Sequence, residues 1–416
     1  MPKIGRFPPF GKRFFRRLRK QFGAGNFEHF WRLIIGIASM PGRKSLSRIR
    51  RLFGRGKTRQ AMAYFLNQAL WDAPDLLQQK ALDTLRQLGY RPGQELYAVL
   101  DDTQKRKRGK RMEAVSKLFL HAERLYAPGH TIVGCALVYR DVLIPYAVDV
   151  WASRTFCQQS QTRKDPRDRL TFRKLTQMGA DLLRQIHIPG DGRVIALFDS
   201  YYLCPVVTAA CQECKWPFVS VAKKNRNFAP DGRAWDKRKI GRYGKNVLAR
   251  DGRWQKVSGK EHRLAERVGR LSKAGRVKLV FSSRRREKSW VSLVTNETCW
   301  SVSTVLRHYL HRWPIEVLFK MSKQYLGLGD YQVLRYRGVV RYLHLVMIAY
   351  LWLTHLALTE PSAQTEIQGE GVLRLPSVPQ LQEQLRKRLW DDVIESMEQG
   401  TRYRSFAQKL KQLIEL

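Results

Sequence analysis

Acidic residues are scarce in this 416-residue chain: 35 Asp and Glu stand against 77 Lys and Arg, a formal charge of +42. Residues 1–60 hold seventeen Lys/Arg and only Glu28 as an acid. A compact fold tolerates such self-repulsion best when a polyanion neutralises it. Nucleic acid is the default partner, although anionic membrane or ribosomal RNA would match the charge equally; charge names a class of polymer and no chemistry. Cysteine is also sparse. Six residues, at 135, 157, 204, 211, 214 and 299, have no framework spacing, which excludes a disulfide scaffold and reads as a reduced, cytoplasmic protein. Cys211 and Cys214 form a C-x-x-C without a second pair at finger spacing, so buried helix cysteines are the plainer reading and a zinc site the other. Long apolar runs are lacking too. Leu343 to Leu358 is apolar but short for a bilayer and carries His344 and His355; a buried core helix is expected, and no membrane span. The chain has no internal repeat and no low-complexity tract.

What is present excludes a disordered polycation. Hydrophobic residues make up 44% and aromatics 11%, and the length allows two or three domains with a real core. Residues 1–27 carry eight Lys/Arg and no acid, as a mitochondrial presequence would. The basic run continues well past that length, so a DNA-binding arm is the better reading. Lys12 to Lys20 interleaves cations with apolar residues, and Ser45 to Phe53 looks like a second basic helix. From Thr58 to Leu88 the period is helical, with Trp71, Leu76, Leu77 and Leu85 able to face a core, until Gly89, Pro92 and Gly93 break it. Residues 1–92 are therefore expected to form a basic, helical DNA-binding region.

The period then changes. Glu95 to Leu100 reads as a short strand ending at Asp101-Asp102-Thr103, followed by a basic loop, Lys105 to Arg111. Thr131–Val138 and Val142–Val150 read as strands around an Arg140-Asp141 turn. A helix over about 170–186, a strand Val194–Phe198 stopping at Asp199, a further helix and a strand Phe218–Ala222 follow. Three strands, a helix, then strand-helix-strand is the order of an α/β fold of the ribonuclease H-like type. Residues 93–222 would be the first part of that core. Residues 223–288, rich in Gly, Lys and Arg, look like a β-rich insertion. The core would resume over 289–358, and 359–416 would be a helical tail.

One stretch carries an arrangement and not merely a composition. Tyr309, Arg312, Glu316 and Lys323 return to one side of a helix at 100° per residue. One carboxylate among an Arg, a Lys and a Tyr suits a metal ion held beside a phosphate backbone. Taken alone, Arg312 and Glu316 would be an ordinary i,i+4 ion pair. Pro314 lacks an N–H, so the helix must kink or restart there, which weakens the one-face argument for Tyr309. Partner acids exist at two strand ends, Asp101 and Asp199, and neighbouring parallel strands bring such ends together. A lone strand-end Asp is more often a cap or turn residue. Three acids on so basic a chain favour magnesium, which takes hard oxygen ligands from a few carboxylates and substrate phosphates.

These residues resemble a family, the prokaryotic insertion-sequence transposases of DDE type that share the Y-(2)-R-(3)-E-(6)-K signature. Tyr309, Arg312, Glu316 and Lys323 match it without a gap. Asp101-Asp102-Thr103 resembles the family's D-x-T motif, and Phe198-Asp199-Ser-Tyr-Tyr its second acid motif. The resemblance covers about residues 28–355. It implies that Asp101, Asp199 and Glu316 bind catalytic Mg2+ (with Mn2+ able to substitute), Asp102 being the alternative to Asp101. Tyr309, Arg312 and Lys323 would hold DNA phosphates, Arg through its bidentate fork. Trp290 stands where hairpin-forming relatives stabilise a flipped base, or it is packed in the core. The implied function is cleavage of the inverted-repeat ends of a mobile element and joining of the 3′-OH to target DNA. A homodimer on double-stranded DNA and a nucleoid-associated location go with it. The alternatives are a metal-dependent nuclease of the same fold and a non-catalytic DNA-binding relative.

Overall fold

The computed structural model describes residues 4–53, 58–109, 111–120, 123–190, 192–230, 235–285, 287, 289–359, 365–367 and 372–398. Lys110 of the basic loop and residues 399–416 of the expected tail lie outside the described residues. The N-terminal helices are α1 (Lys12–Arg19), α2 (Ala24–Ser39), α3 (Leu46–Arg51), α4 (Arg59–Asn67) and α5 (Ala73–Gln87). Ser45, Thr58 and Asp72 cap α3, α4 and α5 through their side-chain oxygens, the residue types that best satisfy the first free N–H groups of a helix.

The sheet follows: β1 (Glu95–Arg106), β2 (Ser116–Leu120), β3 (Leu125–Tyr139), β4 (Val142–Val150), helices α6 (Arg154–Ser160) and α7 (Leu175–Arg184), β5 (Arg193–Phe198), α8 (Pro205–Glu213) and β6 (Phe218–Val221). Then come β7 (Asn227–Pro230), β8 (Arg238–Lys239), α9 (Ile240–Asp251), β9 (Arg253–Val257), β10 (Lys260–Leu271), β11 (Gly275–Arg284) and β12 (Trp290–Thr295). The chain continues through α10 (Val302–Leu310), α11 (Pro314–Tyr325), α12 (Tyr336–Thr359), a small hairpin of β13 (Thr365–Ile367) and β14 (Val372–Arg374), and α13 (Val378–Glu398).

Twelve strands make one mixed sheet in the order β2-β3-β1-β5-β6-β12-β11-β10-β7-β8, with β4 on β3 and β9 on β10. β1 is antiparallel to β3, and β5 and β6 run parallel to β1. The β3–β4 hairpin turns at Arg140 and Asp141, both with positive φ, as a two-residue turn matched to strand twist requires. The stretch 223–288, read as an insertion, supplies β7 to β11, and β11 pairs through β12 to β6. It therefore continues the sheet.

Two expectations need correction. The acids do not end β1: β3 is long enough to pair with it as far as Arg106↔Gly129, so Asp101 and Asp102 sit inside the strand. The apolar helix is also longer than its apolar run. α12 has 24 residues, enough by length and composition to cross a membrane, yet 78% of its most apolar stretch is buried within the protein. α2, α4 and α5 pack around it, with α13 and β4. Phe14, Phe15 and Leu18 of α1 point into this same core, and α2 is buried along most of its length. The N-terminal helices and the sheet thus share a continuous hydrophobic core among the described residues.

Candidate active site

The parallel ladder between β1 and β5 ends at Leu100↔Phe198. Asp101 and Asp199 are the next residues on each strand and leave the ladder at the same level. Beyond that point β1 stays paired with β3 on one side only, which opens a cleft of about 830 Å³ lined by Asp101, Asp102, Thr103, Lys105, Asp199 and Lys323 among others.

Strand alternation divides the two neighbouring acids. Tyr97, Asp101 and Thr103 share one face of β1, and each meets the α10–α11 segment there. His311 stacks on Tyr97 with 4.4 Å between ring centres and pairs with Asp141 of the hairpin turn at 2.9 Å. Arg312 Nη1 donates to Asp101 Oδ2 at 3.2 Å, and Lys323 Nζ donates to Thr103 Oγ1 at 2.5 Å. Asp102 faces the other way, where its Oδ1 accepts from the Tyr202 hydroxyl at 3.0 Å. The face shared with Glu316 is thus that of Asp101.

Helix α10 stops at Leu310 and α11 restarts with Pro314 as its first residue, where a missing N–H costs nothing. Arg312 lies in the joint, and Glu316 in the first turn of α11, the end of a helix that favours a carboxylate. The partners of Arg312 make the joint a hub. Nε donates to the Tyr309 hydroxyl at 3.1 Å, Nη1 to Asp101, and Nη2 to Glu316 Oε1. Gly134, opposite Asp101 on β3, lets α11 approach: a Cβ there would lie 2.9 Å from the Phe319 ring.

Burial pushes the Asp101 carboxyl up to about 7; Arg312 and the hydrogen bond from the Asp102 backbone N–H oppose this, while the Asp102 and Asp199 carboxylates add to it. Burial works against the Arg312 charge, yet Tyr309, Glu316 and Asp101 outweigh it and hold the guanidinium above its usual range. Burial and then Lys105 lower Lys323, and burial raises Tyr309. Asp199 also does the ordinary work of a turn residue, its Oδ1 accepting from the backbone N–H of Tyr201 at 2.9 Å and Tyr202 at 3.3 Å.

As donors, Asp101, Asp199 and Glu316 are hard oxygens of the kind a divalent ion takes. Among the described residues, no three His, Cys, Asp or Glu side chains converge closely enough to hold one. Arg312 stands between Asp101 and Glu316 and occupies the place of a cation. The donor chemistry fits a hard divalent ion, provided that this guanidinium moves. Cys211 is buried in α8 and Cys214 half-buried at its end, without a metal-ligand group among the described residues.

Trp290 opens β12. From the register Leu293↔Val221 and Phe198↔Ser220, it projects beyond the level of Asp199 at the same edge of the sheet. It is half-buried, with Phe281 edge-on at 5.9 Å and the Lys224 ammonium 4.3 Å from its ring centre. Both of its readings have a physical basis here. Sequence reasoning missed Gly134 and Tyr202. A glycine inside an apolar strand signals a close approach; Tyr202 stood in the quoted acid motif without a role.

The sequence model of the DDE superfamily endonuclease matches residues 17–279, more than half of the chain. The chain belongs to this family. No curated protein matches it. The matched segment contains Asp101 and Asp199 and stops before the Tyr309–Lys323 segment. A nuclease or transposase acting on DNA, with divalent metal ions as the family generally uses, is the enzyme class that membership supports.

Proposed function

We propose that this DDE endonuclease is a transposase that cuts the inverted-repeat ends of its own element and joins the freed 3′-OH to target DNA. The observation that carries the reading is the convergence of Asp101, Arg312, Glu316 and Lys323 on one face of β1, at the level where Asp199 leaves β5. The strand order β4-β3-β1-β5-β6, with β5 and β6 parallel to β1, supports a ribonuclease H-like core.

Asp101, Asp199 and Glu316 would hold Mg2+ or Mn2+, with Asp102 as the alternative to Asp101. When bound there, such ions would supply Lewis-acid activation of a water or 3′-OH and of the leaving oxygen. Tyr309, Arg312 and Lys323 position the scissile phosphate: the Tyr309 oxygen accepts from Arg312 and keeps its own proton to donate. Burial lowers Lys323, and a neighbouring phosphate would favour its charged form. Trp290, at the same sheet edge, is placed to stack on an extruded base. Exposed cations of the N-terminal helices would contact the flanking duplex, and two ends require at least a dimer on DNA. A cytoplasmic, nucleoid-associated protein is the corresponding location. Cleavage without transfer is the second reading, favoured by the family's description as an endonuclease.

The test is cleavage of a labelled duplex carrying the DNA that flanks the gene, with Mg2+ and a target plasmid, by wild type and Glu316→Gln. Cuts at defined ends and joined products from wild type alone are expected. Cuts without joining would select the nuclease. Equal cutting by both proteins would remove Glu316 from the site.

A further inference from the structure

The three nitrogens of Arg312 are all engaged: Nε with Tyr309, Nη1 with Asp101 and Nη2 with Glu316. Any bidentate grip on phosphate uses two neighbouring nitrogens of the fork, and here each such pair includes at least one that faces a carboxylate. Arg312 cannot give its fork to a phosphate without sharing it with a carboxylate while it bridges the acids. Nor can a divalent ion sit between Asp101 and Glu316 while the guanidinium is there. The Arg312–Asp101 half of the bridge is shielded, with Arg312 13% and Asp101 16% exposed, whereas Glu316 is 35% exposed.

We propose that Arg312 is an internal counter-ion that closes the acid pair of the metal-free protein, and that metal and DNA displace it together. The carboxylates then take the ion and the guanidinium takes a phosphate. Charge balances in the exchange. Arg312 offsets only one of the two carboxylates once both are ionised, whereas a divalent ion cancels both. The released guanidinium, still next to Tyr309, carries one positive charge for one phosphate. Each ligand removes the obstacle to the other, so their binding is positively coupled, and the DNA-free protein keeps its site closed. This inference rests on the reading of Asp101 and Glu316 as metal ligands.

The test is Mn2+ binding to the full chain, followed by electron paramagnetic resonance with and without a short duplex of mixed sequence. Without DNA, Arg312→Gln is expected to bind Mn2+ about tenfold more tightly than wild type, a coupling of ordinary size. Duplex should tighten Mn2+ binding by wild type by a similar factor and leave Arg312→Gln unchanged. Arg312→Lys, which keeps the charge and loses the fork, should fall between them, and it serves if the Gln variant does not fold. Variants that bind Mn2+ no more tightly than wild type, or duplex that tightens all three proteins equally, would overturn the proposal. Asp101→Asn separates the two readings: if it binds Mn2+ like wild type, the acids are not the metal site and the proposed function fails with the counter-ion. If it loses Mn2+ while Arg312 variants gain nothing, only the counter-ion fails.

Discussion

The cations at the acid edge of the sheet and those of α1 are put to opposite uses. At the edge, Arg312, Lys323 and Lys107 are buried or half-buried, and each has a specific protein partner. Lys107 donates to the Gly329 carbonyl at 2.7 Å and sits 3.1 Å from the Tyr331 ring centre. On α1, Lys12, Arg13 and Arg16 are exposed, the helix has no acid, and no ion pair of theirs occurs among the described residues. Arg17, which reaches Asp83, is the exception. The +42 charge is therefore two populations. One organises the protein's own carboxylates and carbonyls, and the other stays available to a polyanion.

The largest effect that would sharpen this contrast is at Asp101. Asp101→Asn should reduce DNA cleavage by about a hundredfold or more, since even a partner behind a metal ligand is worth about 10- to 100-fold, with duplex binding nearly unchanged in a gel-shift titration. Gly134→Val leaves the acids intact but drives Phe319 and α11 outward. A displacement of about 1 Å costs on the order of 10²-fold in rate, and single-turnover cleavage would read it.

Lys107→Met tests the buried population. It leaves the Gly329 carbonyl without its partner, so thermal unfolding should show a loss of about 1–3 kcal/mol. An unchanged melting temperature would break the contrast. Replacing Lys12, Arg13 and Arg16 together by Ser should leave melting unchanged and make duplex binding less sensitive to salt. The log–log slope should fall by about 0.9 for each phosphate that these cations neutralise. If cleavage chemistry fell instead of binding, α1 would belong with the edge.

A further pair of effects is in pH. Asp101, raised to about 7, holds its proton in the folded state after the unfolded chain has lost it. In metal-free protein its contribution to stability falls as pH rises from about 4 to 7. Lys107, depressed to about 7, has the opposite slope: the unfolded chain binds the extra proton between about 7 and 10.5, and stability rises across that window. Melting curves of wild type minus Asp101→Asn and wild type minus Lys107→Met, in chelator, should therefore change in separate windows with opposite sign.

Local signals in the sequence were the readable ones. The Arg140-Asp141 turn, the strands around it, the apolar β5 ending before Asp199, and the restart at Pro314 depend on short-range sterics and hydrogen-bond capacity. What was not legible depends on partners far along the chain. β1 outruns Leu100 because β3 is long, and residues 223–288 join the sheet because β12 offers an edge beside β6. Lys107 looked like one more cation in a basic loop because the Tyr331 ring that receives it lies more than 200 positions away. Asp101 and Asp199 were picked out where apolar runs stop, and Glu316 by its spacing from Tyr309, Arg312 and Lys323. Strand alternation alone divides Asp101 from Asp102, and i,i+4 spacing pairs Arg312 with Glu316; that Arg312 also reaches Asp101 came from the packing of α11 on β1, which no local pattern encodes.

The buried helix α12 has a consequence for the birth of the protein. Helices α2, α4 and α5 lay their apolar sides on a helix that is made only after some 335 residues have emerged. Until then those sides lack part of their native cover, and Phe30, Ile34, Ile35 and Leu77, fully buried in the finished protein, are less protected from water and from other chains. Early segments that wait for late ones are exposed to aggregation during synthesis. A ribosome that stalls or terminates before Tyr336 would release a sticky, strongly cationic fragment in place of a smaller working enzyme.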